Sequence, residues 1–220
     1  MKTCTTYLAI AVTFISMLNA DRAGAQPMSL CVENSPERRG EIGCSIIEKK
    51  SLPDGLKEPL YWHIDKFYSL DAARAAVGPA SVAFEAAGTF WLMTIEPQTV
   101  DHHGGIHVTQ VGPLQLPQAP KYAIQVNSSK FTPGMYSLAH LHSGVEAFYV
   151  IEGELCLETP TEAKTLRKGE TLAIPTGIPM RVVITGSTPR HALAIIVHDA
   201  TQPSTTRMEE GKGPPLVACK

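Results

Sequence analysis

GMYSLAHLHSGVEAFYVIEG, residues 134–153, is the stretch that decides how the rest of the chain is read. His140 and His142 are two residues apart, so in a strand both imidazoles project from one face. Ser143-Gly144 reads as a turn, and Glu146 then begins a second strand. An antiparallel pair of this kind sets a carboxylate opposite two imidazoles. Two histidines and one carboxylate form a facial set for a divalent metal, with further positions open. Glu146, Phe148 and Val150 share one face, which would give such an ion an apolar surround. A His-x-His pair alone also fits an ordinary strand; the glutamate at the right distance singles this one out.

After residue 120 the pattern is regular. Residues 122–126, 135–142, 145–151, 154–158, 164–166, 171–174, 180–184 and 192–197 are short strand candidates, most of them separated by Gly or Pro. Such a series predicts an all-β sandwich or barrel. The first half is less even. Residues 26–60 are punctuated by Pro36, Gly40, Gly43, Pro53, Gly55 and Pro59 and read as irregular. Residues 61–68 (YWHIDKFY) suit a strand. Ser69 is placed to cap a short helix running to Ala76, which Gly78 and Pro79 end. Residues 89–95 (TFWLMTI) read as a buried strand. Residues 101–120 read as a loop rich in His, Gly and Pro.

The chain has 220 residues, 44% hydrophobic and 18% charged, which fits a globular protein. Its net charge is -2 with no run of Lys or Arg, so nucleic-acid binding has no electrostatic basis. Lys2, the apolar run 7–18 (YLAIAVTFISML) and Ala23-Gly24-Ala25 read as a signal peptide cut after Ala25. An N-terminal anchor helix is the weaker reading, because Asn19, Asp21 and Arg22 end the run early. The expected organisation is therefore a signal peptide at 1–25, an N-terminal α+β extension at 26–120, a β-barrel at 121–200 and a surface tail at 201–220. Secretion or export to a periplasm follows, with no membrane association after cleavage. Export permits disulfides. Cys31 and Cys44 bracket a polar stretch with little core of its own, and a bridge between them would staple it. The pairing of Cys156 with Cys219 is left open.

The quoted stretch resembles the first motif of the cupin superfamily: a Gly, five residues, His-x-His, three residues, Glu, six residues, Gly. Gly134, His140, His142, Glu146 and Gly153 match its fixed positions. Gly169, then ETLAI, then Pro175-x-Gly177 match the start of the second motif. Beyond them the chain looks like exported bacterial cupin proteins without an assigned reaction. The resemblance implies a jelly-roll barrel with motif residues pointing inward, and a homodimer is common among such proteins.

One position departs from the family. The second motif normally carries a metal-ligating His three residues after its Gly; here Met180 stands there. Three readings follow: His140, His142 and Glu146 act as three ligands, Met180 ligates through sulfur, or a histidine from Asp101-HHGGI-His107 stands in. Met is more often core filler, and His102, His103 and His107 more often lie in a solvated loop. The expected cofactor is one divalent transition metal (Mn, Fe, Ni, Cu or Zn). Two functions stay open: a metal-dependent oxygenase or isomerase-like enzyme acting on a small polar molecule, and a non-catalytic small-ligand-binding module. No catalytic residue is assigned.

Overall fold

A computed structural model describes residues 25–56, 58–98, 104–209 and 211–220. The expected signal segment, up to residue 24, and His102 and His103 lie outside these residues. Along the chain come β1 (Gln26–Pro27), a 3-10 turn (Pro36–Arg39), β2 (Gly43–Ser51), β3 (Tyr61–Phe67), α1 (Leu70–Ala75), β4 (Ser81–Ala86), β5 (Thr89–Glu96) and β6 (Ile106–Val111). Then follow β7 (Tyr122–Phe131), β8 (Met135–Tyr136), β9 (His140–His142), β10 (Gly144–Glu152), β11 (Glu154–Glu158) and β12 (Ala163–Arg167). The last four are β13 (Thr171–Ile174), β14 (Arg181–Thr185), β15 (Arg190–Asp199) and β16 (Thr205–Arg207).

These strands form three layers. One outer sheet runs β1-β8-β14-β11-β12, the central sheet β13-β10-β15-β7-β2, and the other outer sheet β4-β5-β3-β6. Side chains alternate across the central sheet and so enter two separate cores. Phe148, Val150 and Ala194 face Leu155, Leu157, Leu166, Met180, Val182 and Ile184, filling a jelly-roll-like barrel. Val145, Ala147, Tyr149, Leu193, Ile195 and Val197 face Trp62, Ile64, Trp91, Met93 and Ile95 of the second outer sheet. Burial on both faces explains why VEAFYVI and ALAIIV are almost continuously apolar instead of alternating.

Several expectations about the first half change. Residues 43–51 were expected within an irregular extension, yet β2 pairs antiparallel with β7 in the central sheet, and β1 pairs with β8. The charges of Glu48, Lys49 and Lys50 hide this strand in the sequence; they are tolerated because β2 is an edge strand with a bulge between Ile46 and Glu48. Part of the expected 101–120 loop is the strand β6, which pairs with β3. The helix forms as expected, with the Ser69 hydroxyl accepting a hydrogen bond from the Ala72 amide. Otherwise residues 61–111 are mainly strand, so an α+β description fits them poorly.

Both cysteine pairs, Cys31–Cys44 and Cys156–Cys219, are disulfide-bonded. The tail is exposed along most of its length, but it is tied down. β16 pairs with β9, the Val217 amide donates to the Thr159 carbonyl at 2.9 Å, and Cys219 is bonded to Cys156. No helix among the described residues is long and apolar enough to cross a membrane.

Candidate metal centre

The backbone around the expected ligands is held on every side. β9 carries His140 and His142, and β16 runs antiparallel to it, with His142 opposite Thr205 and His140 opposite Arg207. On the other side His140 and Met180 exchange backbone hydrogen bonds of 3.0 and 2.8 Å. The amide of Gly177, from the Pro175-x-Gly177 element, donates to the His142 carbonyl at 3.0 Å. Glu146 lies on the central strand β10, between Ile174 and Ile196. Gly144, expected in a turn with Ser143, instead begins β10. A Cβ there would collide with the Val197 carbonyl oxygen, so only glycine lets the two strands approach between His142 and Glu146. Gly153 has a positive φ of 73°, and a Cβ would also meet Pro189 O at 2.6 Å.

The structure brings His140, His142 and Glu146 together: one ligand atom from each lies within 4.8 Å of the others. Among the described residues no further His, Cys, Asp or Glu joins them. His142 is 4% exposed and Glu146 5%. The tautomers follow from what the rings touch. His140 Nδ1 lies 2.8 Å from the Leu138 carbonyl and His142 Nδ1 lies 2.9 Å from the Ser204 carbonyl. A carbonyl oxygen only accepts, so both Nδ1 atoms carry hydrogen. The Nε2 lone pairs are left facing the barrel interior, the arrangement a histidine adopts when it ligates an ion.

His142 Nε2 and Glu146 Oε2 are 3.1 Å apart, and each is buried with no hydrogen-bond partner besides the other. Two lone pairs at that distance repel unless a proton or a cation lies between them. For comparison, ligands at right angles on an ion ~2.1 Å away stand about 3.0 Å apart. The residues therefore fit a transition metal. The electrostatics agree. Burial holds the His140 imidazole below its ordinary value of 6.5, with the charge on Glu146 opposing and His142 and Arg207 assisting. Burial also disfavours a charged His142, but the charge and hydrogen bonding of Glu146, with the Ser204 carbonyl, outweigh it and raise that ring above 6.5.

Met180 is 1% exposed and packs in the barrel core beside the site. His107 does not approach the cluster; its Nδ1 lies 3.0 Å from Asp65 in the other sheet. His191 is buried beside Glu37, at 2.8 Å, and Ser128, at 3.0 Å. Both contacts meet the same ring nitrogen, and the cluster ties the 3-10 turn to the barrel. Sequence reasoning missed Ser204, Thr205, Gln125 and Asn127. Thr205 Oγ1 lies 3.1 Å from His142 Nδ1, and Ser204 Oγ donates to Gln125 Oε1, which borders the same cavity. Gln125 and Asn127 precede the first motif and Ser204 and Thr205 follow the second, and none carries a local signal. The cavity measures about 460 Å³.

Residues 128–196 match the family profile described as the cupin domain. An oxalate oxidase in complex with the substrate analogue glycolate is 22% identical, covers 38% of this chain and 45% of its own, and superposes with a TM-score of 0.34. A cupin-like protein from Thermotoga maritima is 20% identical over 39% of this chain and 64% of its own, with a TM-score of 0.36. A DMSP lyase is 18% identical over 39% and 44%, with a TM-score of 0.35. The chain thus spans less than two thirds of each of these proteins. No curated protein matches the sequence.

Proposed function

We propose that this chain, whose residues 128–196 match the cupin domain profile, binds one divalent transition ion through His140, His142 and Glu146 and presents it to a small polar molecule. The single observation that supports this is the buried, unpartnered pair of His142 Nε2 and Glu146 Oε2, 3.1 Å apart. A bound ion would supply Lewis acidity or a site for oxygen. The chain's own part is to keep two neutral imidazoles and one carboxylate aimed at one point. Leu138, Ser204 and Thr205 fix the ring orientations, and the barrel core packs beside the site. Imidazole and carboxylate together suit Mn, Fe, Ni, Cu or Zn better than Ca or Mg.

An oxygenase or isomerase-like enzyme and a non-catalytic ligand carrier both fit this site. The carrier reading has one specific support: among the described residues, Glu146 is the one carboxylate bordering the cavity, and the ion would occupy it. Export is part of the proposal. Two disulfides suit an oxidising compartment, and N-terminal sequencing of the exported chain should begin near Gln26.

The test is a metal titration over a pH series. Protons and metal compete for the same lone pairs. Burial holds His140 below 6.5, so it is the weaker competitor for protons. The raised His142 is the competing group, so occupancy should fall as pH falls, with the loss setting in above 6.5. One ion per chain is expected in the alkaline range, released on acidification. A chain that retains no ion there, or holds it equally well below pH 6, refutes the proposal.

A further inference from the structure

We propose that the molecule taken at this centre is a small organic anion, whose carboxylate is gripped between Lys49 and Arg207 at the mouth of the cavity. This rests on the metal-centre reading above and adds the chemical class of its ligand. Residues directly opposite each other in an antiparallel pair project from the same face. Arg207 stands opposite His140, and Lys49 stands opposite Gln125. Both cations border the same cavity as the three candidate ligands. Their origins are independent: Lys49 comes from the edge strand β2, and Arg207 from the strapped-down tail. Neither forms an ion pair among the described residues.

Gln125 borders the same cavity, held by its Nε2 donating to Asn127 Oδ1 at 3.1 Å and its Oε1 accepting from Ser204 at 2.9 Å. Lys49 and Arg207 both present donors to that space. Two cations, a divalent ion and one carboxylate leave three positive charges facing the space. A neutral ligand would leave that charge uncompensated, whereas an anion neutralises it with charge-assisted hydrogen bonds. At about 460 Å³, the cavity suits a small molecule.

The test uses the mature, disulfide-bonded chain loaded with Co(II), whose visible spectrum reports changes around the ion. Malonate and its uncharged analogue malonamide are the probes, with affinity also measured by calorimetry. Malonate should bind at least about tenfold more tightly than malonamide. Arg207→Gln and Lys49→Gln should each weaken malonate severalfold and leave Co(II) affinity unchanged, because neither is a ligand of the ion. The doubly substituted chain should lose the preference for the acid. Equal binding of the two probes, no malonate binding to Co(II)-loaded protein, or an unchanged preference in the double variant overturns the proposal and leaves the metal reading standing. A chain that takes up no Co(II) removes both.

Discussion

Glu146→Gln should abolish metal binding while making the metal-free protein more stable in the alkaline range. The side chain keeps its shape, so the buried position is not emptied. It loses the anionic ligand that both imidazoles need beside the ion. Loss of a partner that merely orients a ligand costs roughly 10–100-fold in metal affinity, so loss of the ligand itself should exceed about 100-fold. The stability effect has the opposite sign for a local reason. Once His142 is neutral, its Nε2 lone pair faces Glu146 Oε2 at 3.1 Å with nothing between them. An amide can turn its N–H toward that lone pair and supply the missing hydrogen bond, worth on the order of 1 kcal/mol. Thermal unfolding with and without Zn(II) reads both effects. A variant that still binds Zn(II) with wild-type affinity would show that Glu146 is no ligand. A metal-free variant that melts below the wild type would show that the two atoms are not in conflict.

Cys156→Ser should lower both stability and metal affinity, though Cys156 sits on β11 and its partner Cys219 is at the far end of the tail from Thr205. The Cys156–Cys219 bond spans 63 residues, and in the loop-entropy account a closure of that length restrains the unfolded chain by about 4 kcal/mol. For a domain of this size that corresponds to a fall in Tm of roughly 8–16 °C. The effect on the metal comes through the strap. The segment after Asp199 carries Ser204 and Thr205, which hold the His142 ring, and β16, which pairs with β9. Freeing the end of that segment loosens the ring that the ion needs. Metal affinity should fall by about tenfold, in the range for lost supporting contacts, and mild reduction of the wild type should reproduce the effect. If Tm falls but metal affinity does not move, the strap stabilises the fold and does not position His142.

Much of the barrel was legible because its signals are local. Residues 154–158 and 171–174 form strands at the expected positions, since Gly153 and Gly169 punctuate them and alternation marks their faces. The ligand trio was legible for a similar reason: a spacing of two places His140 and His142 on one strand face, and a short link sets Glu146 on the next strand. β2 and β6 were not legible. Lys49 and Lys50 look like loop residues until the edge of the central sheet is known, and β6 lies among residues whose His, Gly and Pro content resembles a loop.

By itself, the sequence determined an all-β barrel, the two-motif resemblance that places residues 128–196 among cupins, and which three side chains could converge on an ion. Each follows from spacing and periodicity within a few residues, and such short-range geometry is nearly independent of the remaining chain. Only the tertiary structure decided the rest. It tied the tail across β9, gave His142 its tautomer through the Ser204 carbonyl, buried Met180 in the barrel core, and left His107 in a different sheet. It also set Lys49 and Arg207 at the mouth of the same cavity. These contacts join residues far apart in sequence, and their partners are chosen by which strands pair and which faces are buried, a choice no local pattern encodes.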